Sequence, residues 1–140
     1  MSGALDQLQI GLQELDDLEA LVQLKTKGSK GPTAGILAAR RASVLLLNAH
    51  FEAYLEDVLE ESLKTLNSGL SVASIRRDFT TPRVRNIDKL FVLLGIEKIT
   101  STPSWQRTSN KSVRRAIDDL QDARNAVAHG EKDAKQRRPT

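Results

Sequence analysis

Val44-Leu45-Leu46-Leu47-Asn48-Ala49-His50-Phe51-Glu52-Ala53-Tyr54-Leu55-Glu56-Asp57-Val58-Leu59 forms the middle of a stretch that runs from Thr33 to about Leu66 without a proline. Its only internal glycine is Gly35, near the start. Ile36, Ala39, Ser43, Leu46, Leu47, Phe51, Tyr54, Leu55, Val58, Leu59 and Leu63 keep helical spacing. The pattern predicts a single long helix, near the upper end of globular lengths. At Val44-Leu45-Leu46-Leu47 the helix is apolar nearly all round, so its middle is expected to be buried on several sides. Asn67-Ser68-Gly69 ends it.

On the N-terminal side, Leu5, Leu8, Leu12, Leu15, Leu18, Leu21 and Val22 recur at helical steps, with acidic residues on the other face. This reads as an amphipathic helix from Leu5 to Leu24 with a leucine core stripe, broken by Lys27-Gly28-Ser29-Lys30-Gly31-Pro32. On the C-terminal side, Ser71 can cap a short helix through Arg77, and Thr81-Pro82 forms a break. Asn86 can cap a second short helix, Ile87 to Leu94, with Gly95 as its stop. The polar segment from Ser101 to Asn110, which holds Pro103 and the lone Trp105, reads as a loop. Asn110 or Ser112 caps a last helix that runs to about His129 and stops at Gly130. No strand pair or internal repeat is visible. The expected architecture is all-α: a bundle of two long helices, a short helical insert and a C-terminal helix.

The totals fit that reading. A chain of 140 residues is the size of one domain. We read residues 1–130 as that domain and residues 131–140 as a basic tail. At 39% hydrophobic and 28% charged residues the composition is that of a soluble globular chain rather than a disordered one. The absence of cysteine excludes a disulfide framework, a thiolate metal site and a cysteine nucleophile, and fits a reducing cytoplasm. No apolar run approaches the length of a membrane span, and no secretory leader is visible. A cytoplasmic protein is expected. The net charge of +3 permits contact with phosphates without requiring it. Basic residues cluster at Arg76, Arg77, Arg83 and Arg85 and again in the tail, at Lys132, Lys135, Arg137 and Arg138.

Chemistry is concentrated in the last helix. Its apolar stripe is Val113, Ala116, Ile117, Leu120, Ala123 and Val127. At about 100° per residue Arg124 projects into the middle of that stripe. A guanidinium keeps its proton, so a buried one must find partners. Two readings are open: an internal salt bridge to Glu52 or Glu56, or an anion site where the stripe opens onto a cleft. His129, on the final turn, points about 140° away from Arg124 by the same arithmetic. It can act as a cap on the helix carbonyls; in the alternative the helix end distorts, or a second subunit brings its own His129 near this Arg124.

Arg124-Asn125-Ala126-Val127-Ala128-His129 resembles the R-N-x-x-x-H form of the arginine-to-histidine motif of HEPN domains, the higher-eukaryote and prokaryote nucleotide-binding superfamily. The segment Asn48-Ala49-His50-Phe51-Glu52-Ala53-Tyr54-Leu55-Glu56-Asp57 resembles the long helix with an "hFE-x-Y" pattern in its RiboL-PSP-HEPN group. In that group a short helical insert separates this helix from the motif helix. The resemblance covers roughly Ile36 to Gly130.

The resemblance implies an antiparallel bundle that forms a homodimer, with two Arg/His pairs lining one composite cleft. It implies a metal-independent endoribonuclease, a toxin or defence effector, in which the ribose 2′-hydroxyl attacks the adjacent phosphate and leaves a 2′,3′-cyclic phosphate. No cofactor and no metal are expected; the partners would be RNA and an antitoxin or regulatory protein. In this chemistry His129 would transfer the proton, since imidazole titrates near neutral pH. Arg124 would hold the phosphate oxygens. Asn125 would position the phosphate or orient the histidine. Supporting candidates are Glu52, as a partner of Arg124 or a structural salt bridge, His50, whose place beside Phe51 on an apolar helix favours a core histidine, and Asp122, which in such a place is usually a solvated carboxylate. Trp105 is either a base-stacking residue or a plug at the bundle edge. The alternatives are a non-catalytic nucleotide-binding or assembly module, and a purely structural dimer.

Overall fold

The computed structural model describes residues 3–26, 34–66, 69, 73, 75 and 81–130. Four α-helices are present among them: α1 (Gly3–Thr26), α2 (Ala34–Thr65), α3 (Val84–Val92) and α4 (Asn110–His129), with a short 3-10 turn at Ile99–Ser101. None of the described residues is in a strand. The expected breaks at Lys27–Pro32 and Asn67-Ser68, the Ser71 cap, Arg76-Arg77 and the tail lie outside the described residues; Ala73 and Ile75 between them are helical.

Helices α1 and α2 form an antiparallel hairpin. The Ala4 backbone N–H donates to Glu61 Oε1 (3.1 Å) near the start of α1. At the other end Leu18, Leu21, Val22 and Lys25 face Gly35, Ile36 and Ala39 across an open apolar hollow. The buried line of α1 is Ala4, Gly11 and Val22, flanked by half-buried Leu8, Leu15 and Leu18. Leu12 and Leu21, expected in that stripe, are 40% and 59% exposed. The reason is geometric: a helix packed chiefly on one partner covers only a narrow seam, and small residues let the backbones approach. At Gly11 the space is taken by the α2 side: a Cβ there would lie 2.5 Å from Cγ and Nδ1 of the His50 ring.

The core sits at the other half of α2. Leu55, Leu59, Leu63, Ile75, Ile87, Leu90 and Phe91 form one buried cluster, and Phe51, Tyr54, Val58, Leu94, Ile99 and Ile117 pack against it. Burial of such side chains contributes about 1.5–3 kcal/mol each. Helix α3 begins at Val84, three residues before the expected start, and Arg83 occupies the cap position without a side-chain capping bond. Asn86 is inside the first turn and donates from Nδ2 to the Thr81 carbonyl instead (2.8 Å). The cap comes from elsewhere: Asp118 Oδ1 on α4 accepts the backbone N–H of Val84 (2.9 Å). Gly95, at φ +78°, ends the turn after α3 in a conformation that favours glycine.

The 3-10 turn ties α3 to α4. Asp88 accepts from the backbone N–H and the hydroxyl of Thr100 (2.9 and 2.8 Å), and Arg114 Nε donates to the same hydroxyl (3.3 Å). The α4 cap is Ser109, one residue before Asn110 and three before Ser112; its hydroxyl accepts the Ser112 N–H (3.1 Å). Asn110 instead donates to the Thr100 carbonyl and accepts the Trp105 indole N–H (2.8 and 3.1 Å). Trp105 is thereby fixed in the loop, 47% exposed, rather than plugging the bundle. Among the described residues no helix is long and apolar enough to cross a membrane.

Candidate functional site

Helix α4 lies antiparallel to α2. Ile117, near its start, packs against the core cluster, and Ala126, Val127 and Gly130, at its end, meet Arg41 near the start of α2. The covered face runs through Val113, Ile117, Leu120, Gln121, Asn125 and Val127, and leaves Arg124 out. Ala116 and Ala123, counted in the apolar stripe from sequence, are exposed, and so is Arg124. The expected burial of Arg124 is therefore corrected by a rotation of the packed face by roughly a sixth of a turn. Two side contacts hold α4 in that rotation: Asp118 caps α3, and Asp122 takes Arg83 Nη2 at 2.6 Å. Asp122 is thus the anchor of an interhelical ion pair.

Beyond Ile117 the seam between α2 and α4 is lined by amides. Gln121 is 0% and Asn48 4% exposed. Arg41 to Asn48 and Val127 to Gln121 are each about 10 Å along their helices at about 1.5 Å per residue, so the two amides lie at one level of the bundle. Half-buried Leu120 and Val127 flank the buried Gln121 in this half of α4, the half that holds Arg124 to His129.

Arg124 Nη1 donates to Asn125 Oδ1 (3.1 Å). Asn125, half-buried, uses its oxygen to steady the guanidinium of its neighbour. Neither an ion pair nor a hydrogen bond joins Arg124 to Glu52, yet the two charges feel each other. Burial and the neighbouring Glu56 push the Glu52 carboxyl above its ordinary range, and the Arg124 guanidinium pulls it back. His129 is the last residue of α4 and is exposed; Gly130 follows at φ +78°. Within one chain Arg124 and His129 stay on different sides of α4, as the helical arithmetic requires.

His50 stands apart from this group. It is two residues from Glu52, about 200° round α2. Its ring rests on Gly11, and its Nε2 lies 3.6 Å from Glu14 Oε2 on α1. That position is a packing position in the α1–α2 hairpin. Among the described residues no three His, Cys, Asp or Glu side chains are grouped as a metal ion would need.

Arg41, Asn48, Asp118 and Gln121 are site-shaping residues that the sequence reading did not single out. Gln121 follows Val113 and Ile117 at steps of four, which was the available signal for its inward position. Arg41 carries no such local signal, since only the register of α4 on α2 brings it to the motif. No protein-family model, curated protein or solved structure matches the chain.

Proposed function

We propose that the protein is a HEPN-like endoribonuclease that acts as a homodimer. The observation that carries this reading is the run Arg124-Asn125-Ala126-Val127-Ala128-His129, which closes the last helix of an all-α chain with its arginine and histidine both open to a substrate. In the proposed reaction a ribose 2′-hydroxyl attacks the adjacent phosphate. His129 moves the proton, Arg124 stabilises charge on the phosphate oxygens, and Asn125 keeps Arg124 in place.

The dimer is supported by what one chain leaves uncovered. The middle of α2 was expected to be buried on several sides, but Leu45 and Leu46 are each 41% exposed. They continue a line of exposed alanines, Ala38, Ala42, Ala49 and Ala53, on the same side of α2. Ala116 and Ala123 are exposed on α4. A helix apolar nearly all round is normally covered, and a contiguous exposed apolar strip of this kind marks an interaction surface. Glu52 borders this strip, so a second copy seated on it would come close to Arg124 and could bring its own histidine there. A toxin or defence role, with a regulatory protein that restrains it, belongs to the same proposal.

The test is incubation of the purified protein with labelled RNA in EDTA, with the product ends mapped. Cleavage that leaves 2′,3′-cyclic phosphate and disappears in His129→Ala supports the reading. A folded protein that cleaves none of several RNAs, or cleaves equally after His129→Ala, returns the chain to the binding-module alternative.

A further inference from the structure

The start of α2 and the end of α4 enclose a small hollow beside the motif. Its volume is about 80 Å³ and its lining is Arg41, Ala126, Val127 and Gly130. Ligand pockets for drug-sized molecules begin near about 300 Å³. A hollow holding only a few water-sized groups suits a single phosphate and not a base. Three of its four linings offer only aliphatic or backbone atoms. The charge comes from Arg41, whose planar fork matches phosphate oxygens. Gly130 adds no side chain to the lining, and a Cβ there would meet nothing within 4 Å.

The field along α2 favours the same end. Arg40 and Arg41 are the only formal charges from Ala34 to Phe51. Glu52, Glu56, Asp57, Glu60 and Glu61 then follow in the other half. A polyanion is drawn to the first half and repelled from the second. Val127 and Gly130 bracket His129 in the chain, so the hollow and the histidine belong to one end of α4.

We infer that Arg41 is a substrate-binding residue that holds a backbone phosphate of single-stranded RNA next to the one being cut. The inference rests on the reading of RNA as the substrate. It differs from a role for Arg41 as a cap on the α4 carbonyls, which would change stability but not the salt dependence of RNA binding.

The experiment is filter binding of labelled single-stranded RNA across a salt series. The parent is His129→Ala, so that binding is read without cleavage. Arg41→Ala, Arg41→Gln and Lys64→Ala are added to it separately, and thermal melts are recorded for each. Lys64 is the control, exposed at the far end of α2 and paired with Glu60. Arg41→Gln keeps much of the stem, in case the alanine variant folds poorly. Loss of one phosphate contact should weaken binding and lower the slope of log K against log salt by about 0.7. Lys64→Ala should leave both unchanged. The inference is overturned by an unchanged slope in the Arg41 variants, by an equal change in Lys64→Ala, or by a parent that retains no RNA at low salt. Cleavage by the intact chain together with an unchanged Arg41 slope removes this inference alone. Arg41-dependent binding without any cleavage removes the nuclease reading alone.

Discussion

The guanidinium of Arg124 on α4 acts on the carboxylate of Glu52 on α2, opposing the upward push that burial and Glu56 exert on it. The arginine of the motif is thereby coupled to the long helix without a direct bond. Removing it should let the Glu52 pKa rise further. Carboxyl titration by NMR in Arg124→Ala checks this; a Glu52 pKa that stays put or falls contradicts the coupling.

The same shift has a consequence for stability. A carboxyl whose folded pKa is raised binds more protons folded than unfolded, so stability falls as pH rises from the ordinary carboxylate range through the raised value. Above that window the charged carboxylate is a standing cost. Glu52→Gln should therefore melt higher than the parent at neutral pH and no higher in acid, below both pKa values. Thermal melts across the pH range check the sign.

Asp118 should matter more for stability than its half-exposed position on α4 suggests. It supplies the cap that α3 lacks from its own sequence. Asp118→Ala should destabilise the fold by about 1 kcal/mol, the usual worth of a helix cap. Asp122→Ala, which removes the Arg83 pair at a more open place, should cost less, about 0–1 kcal/mol. Denaturant unfolding of both variants orders them.

These two aspartates also show what sequence could and could not reveal. Helix identity was readable because periodicity is local: α1, α2 and α4 lie where their apolar spacing puts them. The α3 start was misplaced because its cap is a carboxylate that is distant in sequence. The buried face of α4 was misplaced because alanines counted equally with isoleucine, while Asp118 and Asp122 pinned the helix in another rotation. Arg124, Asn125 and His129 can be singled out in the sequence by their resemblance to a motif; that Asn125 holds Arg124 cannot, since it depends on side-chain geometry. The exposure of Leu45 and Leu46 could not be read either, because hydropathy tells that a face wants cover, not whether one chain provides it.

Gly11 should not tolerate a methyl group. His50 occupies the space that a Cβ would need. Gly11→Ala should destabilise by about 1–3 kcal/mol, the range for overpacking. Because the His50 ring packs against Gly11 on α1, a His50 variant that folds should keep the proposed cleavage. A folded His50→Ala without activity would place the residue in the site instead.

Leu45→Glu and Leu46→Glu put a charge on the uncovered strip of α2. Each should halve the mass seen by light scattering while leaving helical content intact, and cleavage should fall with the dimer. A monomeric parent, or a variant that stays dimeric, would move the interface elsewhere.

The most direct test of the proposed shared site is to mix two inactive proteins. Arg124→Ala and His129→Ala are each expected to be dead as homodimers. In a mixed dimer one composite site regains an intact arginine from one chain and an intact histidine from the other. RNA cleavage in EDTA should return on mixing and subunit exchange, to about half the wild-type rate per dimer at most, since one of two Arg/His pairs is whole. Mixed dimers, verified by mass, that remain inactive while wild type cleaves would contradict a site built from two chains.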